Sequence, residues 1–454
     1  PEYLKSTFVL CLGVGIGTAM LGVGSAWLVV RYDFPLRGVF EWALVLPLAV
    51  PAYVMAYTYT DLLQFVGPVQ TWMRDTFGWT RADYWFPDVR SLGGAVTMFC
   101  LVLYPYVYML TRTAFLERAG GMLEVGRSLG LGPWASFWRV SLPLARPAIA
   151  AGVALSLMET LADFGAVSYF GVQTFTTGIY RAWFSLGDRV AAAQLAVALL
   201  GFVVLVLALE QSSRRRARFH DTTLRRSAPQ GRQLRTWRAW LAVLACLLPL
   251  AGGFLVPAGV LLHMALTEGD AQFGERFIEL ARNSMTVSAL TAVLAVGLAV
   301  LLGYAARMKS VTWPMRLVHR MAGLGYAIPG TVIAVGVLIP MARLDQVLAG
   351  WIQAWTGQSP GLLLTGGIVG LVYACLVRFL TPAVQSVDAG LLKITAHMDD
   401  ASRSLGLSPA RTLWHVHFPL LRGSLLTAAL LVFIDVMKEL PATLVLRPFN
   451  SDTL

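Results

Sequence analysis

Four carboxylates interrupt segments that are otherwise apolar enough to cross a membrane. Glu159 and Asp163 lie in the run 147–170 and Asp435 and Glu439 in the run 423–446, at matching places, since 435 − 159 = 276 and 439 − 163 = 276. Four residues apart on a continuous helix is one face, so each pair should project to one side. A carboxylate near the bilayer centre costs roughly 2.5–3.5 kcal/mol on insertion scales, so all four are expected to point into a bundle or a water-filled route. Oxygen ligands of this kind suit the passage of a hard cation. A structural reading stands beside this one: Lys438 is placed to pair with Asp435 or Glu439, and charge near the interface is cheap.

A second set of polar residues recurs at the same offset. Glu124, Val125, Gly126, Arg127, Ser128, Leu129 and Gly130 precede Pro133, Trp138 and Leu142-Pro143; Asp400, Ala401, Ser402, Arg403, Ser404, Leu405 and Gly406 precede Pro409, Trp414 and Phe418-Pro419. Here 406 − 130 = 276 and 419 − 143 = 276, so the chain is internally duplicated. The chemistry is that of a rigid polar knob. A helix through Leu405 meets Gly406 as its C-terminal glycine, and Ser408-Pro409 then supplies an N-cap and a first-turn proline for a new helix. The first copy does the same with Gly130, Gly132 and Pro133. Two short helices with a sharp bend are expected, closed by Leu142-Pro143 or Phe418-Pro419 before the chain re-enters the membrane.

The elements that position these residues follow from hydropathy. Of 454 residues 57% are hydrophobic and 13% charged, with mean hydropathy +0.64, more apolar than a soluble chain of this size could cover. The spacing predicts an all-α polytopic bundle with ten spans, near 8–30, 39–60, 92–113, 147–170, 190–210, 238–266, 284–306, 320–342, 361–382 and 423–446. Pro47, Pro51, Pro329 and Pro441 should kink their helices. The repeat register gives a first unit over 1–210, a basic linker over 211–237 and a second unit over 238–454. Nothing in the first half matches 238–266 and nothing in the second matches 190–210, so twelve spans are expected in the full protein.

The net charge of +11 is distributed by membrane side. Arg214, Arg215, Arg216, Arg218, Arg225, Arg226, Arg232 and Arg235 face only Asp221, which places the linker in the cytoplasm. Counting spans outward puts 114–146, 307–320 and 383–422 on that side and 61–91 outside. The arginine run is a topology signal with scope for anionic lipid contact, and nucleic-acid binding has no support. Cys11, Cys100, Cys246 and Cys375 fall in apolar runs without ligand spacing and read as small buried hydrophobes. Tyr53, Tyr57, Tyr59, Tyr104, Tyr106 and Tyr108 read as belt or packing residues ahead of phenolate ligands. The six histidines show no convergent spacing; His415 and His417, inside the repeated loop, are expected to be solvated or to face a partner. No stably bound metal is expected.

The repeated loops resemble the "EAA" coupling loop of ABC-importer permeases, the inner-membrane components that work with a periplasmic binding protein. Val125-Gly126 stands for Ala-Ala, Asp400 for Glu and Phe418 for Leu; the spacing is intact. The resemblance covers both halves, which makes this a fused permease. It implies a type I importer-like fold, a bacterial inner-membrane location, and ATPase-coupling roles for Glu124, Gly130, Leu142, Pro143, Asp400, Gly406, Phe418 and Pro419. The stretches Met158 to Gly165 and Asp435 to Thr443, with Leu446, Arg447, Pro448 and Phe449, are similar to the ferric-iron branch, so Glu159, Asp163, Asp435 and Glu439 become an expected ferric-iron route. Thiamine and phosphonate importers are the alternatives.

No phosphate-binding loop is present, and Lys5, Lys309, Lys393 and Lys438 all lack the preceding glycine it requires. The chain is therefore not expected to be an enzyme or to hold a cofactor. ATP and magnesium belong to a partner, and two coupling loops imply two copies of an ABC ATPase subunit alongside the periplasmic binding protein and membrane lipid. A secondary transporter with repeated halves is a further alternative, disfavoured because both loops fall on one side. A membrane scaffold or enzyme lacks any catalytic constellation.

Overall fold

A computed structural model of the chain describes residues 2–118, 132–215, 232–234, 237–267, 274–307, 313–322, 325–358, 361–391, 394 and 396–447. Among them nine helices are long and apolar enough to cross a membrane, and a tenth span forms if one bent pair is counted. The chain divides into two compact units, Pro1–Gly269 and Asp270–Leu454.

In the first unit α1 (Glu2–Arg31) runs to a short α2 (Arg37–Ala43), followed by α3 (Ala52–Leu63), α4 (Pro68–Phe77) and α5 (Leu92–Arg118). Next come α6 (Pro133–Ser136), α7 (Leu142–Ala162), α8 (Gly165–Tyr169), α9 (Phe175–Tyr180) and α10 (Arg189–Arg215). α1, α5 and α7 pack on one another and bury Val107, Tyr104 and Tyr108. These tyrosines fill the core, whereas Tyr57 is exposed. Small residues permit the close approach: a Cβ on Gly152 of α7 would lie 2.6 Å from the Val107 Cα of α5. The expected span at 39–60 turns by 91° between Arg37–Ala49 and Ala52–Phe77. Pro51, at φ −59° and ψ 140°, sets that break, because the residue is extended and offers no N–H to continue a helix.

After the linker, α11 (Trp237–Leu250) and α12 (Val256–Thr267) form one span through a π-helical turn at Ala251–Leu255. Chain order puts this span at the start of the second repeat; in space it packs within Pro1–Gly269. Its buried face (Ala239, Ala242, Val243, Cys246, Leu250) joins the cluster around Tyr104 and Tyr108, and the Tyr59 hydroxyl donates to the Gly252 carbonyl. A two-residue parallel pairing, Tyr32–Asp33 with Arg232–Gln233, ties the end of the linker to the end of α1.

The second unit comprises α13 (Glu275–Arg307), α14 (Trp313–Ala322), α15 (Gly330–Thr356), α16 (Ile368–Leu391), α17 (Ala396–Ser404), α18 (Pro409–Thr412), α19 (Phe418–Met437) and α20 (Pro441–Leu446). α13, α16 and α19 pack together around Ala295, Cys375, Ala383, Val387 and Ala428. The duplication is literal at the level of elements. α5 and α16, α6 and α18, α7 and α19, and α8 and α20 begin 276 residues apart, as 368 − 92, 409 − 133, 418 − 142 and 441 − 165 each show. The proline break recurs at Pro329, with φ −57° and ψ 140°.

Candidate functional site

The second repeated loop folds as its residues dictate. Gly406 adopts φ +75°, Leu407 N–H donates to the Ser402 carbonyl (3.0 Å) and Gly406 N–H to the Arg403 carbonyl (2.9 Å), the two bonds that end a helix on a left-handed residue. Ser408 then caps α18 by accepting from Arg411 N–H at 3.4 Å, with Pro409 at the first position. One detail differs from the expected closure at Phe418-Pro419. A π-helical turn, Leu413–His417, carries α18 straight into α19, and the segment Pro409–Met437 runs as one helix. The wider turn, in which Phe418 N–H donates to the Leu413 carbonyl, accommodates Pro419 and its missing N–H inside the continuous helix, so the chain does not break. The first copy matches from Pro133 onward: a π-helical turn, Phe137–Ser141, leads into α7 at Leu142-Pro143. Glu124 and Gly130 lie outside the described residues.

α17, which carries Asp400, is held by the residue before it. Asp399 Oδ2 accepts from Arg307 Nε at 2.7 Å, and its Oδ1 lies 2.6 Å from Nε2 of His417. Arg307 also donates to the carbonyls of Leu391 (2.9 Å) and Ile394 (2.7 Å). His417, expected to be solvated or partner-facing, is 0% exposed, with Tyr304 packed edge-on at 5.2 Å between ring centroids. Its place in the π-helical turn rotates the ring inward, while His415 stays exposed and bonds the Arg411 carbonyl. Burial raises the Asp399 carboxyl, but the hydrogen bonds from Arg307 and His417 outweigh it and hold the group below the usual carboxylate range.

The carboxylate pairs do not share a helix face. α7 ends at Ala162, and Asp163 is extended at ψ 133°; α19 ends at Met437, before Glu439. The spans expected at 147–170 and 423–446 are therefore each broken, and each break is capped by its own carboxylate. Asp163 Oδ1 accepts from Ala166 N–H at 2.7 Å, and Glu439 Oε1 from Ala442 N–H at 3.0 Å, at equivalent repeat positions (442 − 166 = 276). A side-chain oxygen satisfying the first amides of a new helix explains why a carboxylate recurs there. Glu159 and Asp435 remain on α7 and α19, and neither is without an interaction partner.

Glu439 has a partner that hydropathy alone does not announce. Arg378 Nη1, on α16, lies 2.5 Å from Glu439 Oε2, and the two residues are 5% and 8% exposed. The signal was a single arginine inside the apolar run 361–382. Gly330, at the start of α15, leaves room for the pair: a Cβ there would overlap Glu439 Oε1 and come 2.6 Å from Arg378 Nη1. In the first unit Val102 stands where Arg378 does (378 − 276 = 102).

These features define a duplicated helical membrane permease, and the chain belongs to the family of binding-protein-dependent transport system inner membrane components, which matches residues 18–218 and 295–447. It is the permease of an ABC importer in the bacterial inner membrane. It is 28% identical to the "Fe(3+)-transport system permease protein FbpB 2" of Haemophilus influenzae, over 100% of this chain and 82% of that one. It is 23% identical to the "Ferric transport system permease protein FbpB" of Actinobacillus pleuropneumoniae, over 94% of this chain and 62% of that one. The "Molybdenum transport system permease protein ModB" of Escherichia coli K12 is 29% identical over 42% of this chain and 82% of its own length.

Proposed function

We infer that the chain translocates ferric iron delivered by a periplasmic binding protein, driven by two copies of an ABC ATPase subunit that hold the ATP and magnesium. Similarity along the whole chain to an iron permease carries the substrate reading, since the molybdenum relative covers 42% of it. The ordered unit Ala396–Thr412 carries the docking reading: a short helix, a left-handed glycine and a second helix continuous with a membrane span give a stiff polar projection. Asp400, Gly406, Phe418 and Pro419, with Glu124, Gly130, Leu142 and Pro143 in the first copy, are assigned to it. Both docking elements are taken to be cytoplasmic, on the charge of the linker. Because Asp163 and Glu439 cap helices, the iron route rests first on Glu159 and Asp435.

The test is uptake into vesicles containing the permease, its ATPase and its binding protein, offered ferric iron, molybdate, sulfate or thiamine in turn. Iron accumulation that requires both the binding protein and ATP supports the reading. Uptake of an oxyanion or of thiamine in place of iron overturns the substrate while leaving the permease assignment intact.

A further inference from the structure

The two docking elements are built from one duplicated sequence, yet only the second carries the residues of a polar brace. Arg307 closes α13, Asp399 lies on α17, and His417 ends the π-helical turn that enters α19. One guanidinium makes three hydrogen bonds at 2.7–2.9 Å, to Asp399 and to the carbonyls of Leu391 and Ile394, so it fastens the end of α16 and the start of α17 at once. Asp399 spends its other oxygen on His417, whose ring is wholly buried. Tyr304 completes the junction, packing on His417 and donating to the Pro409 carbonyl at 2.8 Å. The equivalent residues of the first repeat, at the offset of 276, are Arg31, Leu123, Ser141 and Leu28. A leucine and a serine cannot form the carboxylate–imidazole bridge.

We propose that Arg307, Asp399 and His417 are positioning residues that clamp the second docking helix to the ends of α13, α16 and α19, so that the two ATPase contacts of this permease are mechanically unequal. The proposal rests on the docking role of α17. A charge-assisted network with a buried member has few alternative geometries of similar energy, because any shift of α17 strands Asp399 or His417 without a partner. Force applied at α17 is then transmitted to α13 and α19 without slack. The first element, lacking the bridge, joins its spans through α6 and the π-helical turn Phe137–Ser141 among the described residues.

The experiment uses the assembled permease with its ATPase and binding protein in vesicles, and reads iron taken up per ATP hydrolysed. His417→Phe keeps an aromatic ring in the buried site and removes the donor; His417→Gln retains an N–H for Asp399. The expected result is a loss of about fivefold or more in uptake per ATP for His417→Phe, near-normal coupling for His417→Gln, and no change for Ser141→Ala. Equal coupling in His417→Phe and the parent, or equal losses in the Phe and Gln variants, overturns the proposal. If His417→Phe does not assemble, Asp399→Asn decides, since it preserves volume: an unchanged ratio overturns the brace and a reduced one supports it. Failure of the docking reading is separately visible. A cysteine at Leu405, 80% exposed, should cross-link to the ATPase in the parent complex, and absence of that cross-link rejects docking whatever the coupling ratio.

Discussion

Arg378 Nη1 and Glu439 Oε2 meet at 2.5 Å between α16 and the start of α20, and the first repeat carries Val102 and Asp163 at the same two places. The two repeats therefore share the capping carboxylate and differ at the position of Arg378. Removing one member of a buried ion pair leaves the other unpaired, at a cost of about 3–5 kcal/mol, whereas an apolar replacement of both can be nearly neutral. Arg378→Met should lower the melting temperature of the purified permease sharply. Arg378→Met combined with Glu439→Gln should recover most of the loss. If the double variant melts no higher than Arg378→Met, the pair is not what Arg378 supports.

Gly330 is fixed by the same pair. Adding one methyl group forces either Glu439 or Arg378 from its place, and overpacking of this kind costs typically 1–3 kcal/mol. Gly330→Ala should destabilise by that much in thermal unfolding. The residue that follows the proline break at Pro51 in the first unit is Ala52, and Ala52→Gly should change stability by no more than about 1 kcal/mol, the helix-propensity difference. Equal stability of Gly330→Ala and the parent would show that the ion pair can shift at no cost.

Much of this was legible from register alone. Element starts repeat at the spacing of the motif residues because glycine, serine and proline act locally: Gly406 and Ser408-Pro409 specify a helix end and a helix start whatever surrounds them. The broken spans were not legible. Hydropathy stays high through Leu161-Ala162 and through Val436-Met437, and only the capping geometry of Asp163 and Glu439 shows that the helix stops. His417 was missed for a related reason. Its loop is polar as a whole, and burial depends on the π-helical turn, which shifts the helical phase without a sequence mark. The partner of Glu439 lay 61 residues away, beyond any local pattern.

Gly406 offers a direct test of the docking role proposed for α17. At φ +75° a β-branched side chain is strained by roughly 1–2 kcal/mol, enough to distort the bend without unfolding the spans. Gly406→Val should assemble and bind its ATPase more weakly, and binding-protein-stimulated ATP hydrolysis should fall several-fold. Gly130→Val provides the matching variant in the first repeat. Unaltered stimulation in both would argue that the repeated loops do not contact the ATPase.

The capping assignment separates the four carboxylates into two pairs with different failures. Asp163→Ala removes the acceptor for Ala166 and Val167 N–H and should cost about 1 kcal/mol of stability, while Asp163→Asn retains an acceptor and should be milder. Glu159→Gln and Asp435→Asn, which leave both helix caps in place, should instead lower iron uptake. Parallel measurement of melting and uptake distinguishes the two classes. Normal uptake in the Glu159→Gln, Asp435→Asn double variant would remove the carboxylates from the route.

Asp399 gives α17 a defined response to acid. Burial raises its carboxyl, but the hydrogen bonds from Arg307 and His417 lower it by more, so its folded-state value lies below its unfolded one. A depressed carboxylate contributes stability that is present above the unfolded value and lost as pH falls through the folded value. From pH 8 down to about pH 4 this group should therefore leave the protection of α17 amides unchanged, and protection should decline only below that. Hydrogen exchange across α17 between pH 3 and pH 7, corrected for the intrinsic rate, measures it. Asp399→Asn cannot titrate and should show lower protection throughout, without the acid step. An acid step of equal size in Asp399→Asn would assign the transition to another group and break the link between Asp399 and the order of α17.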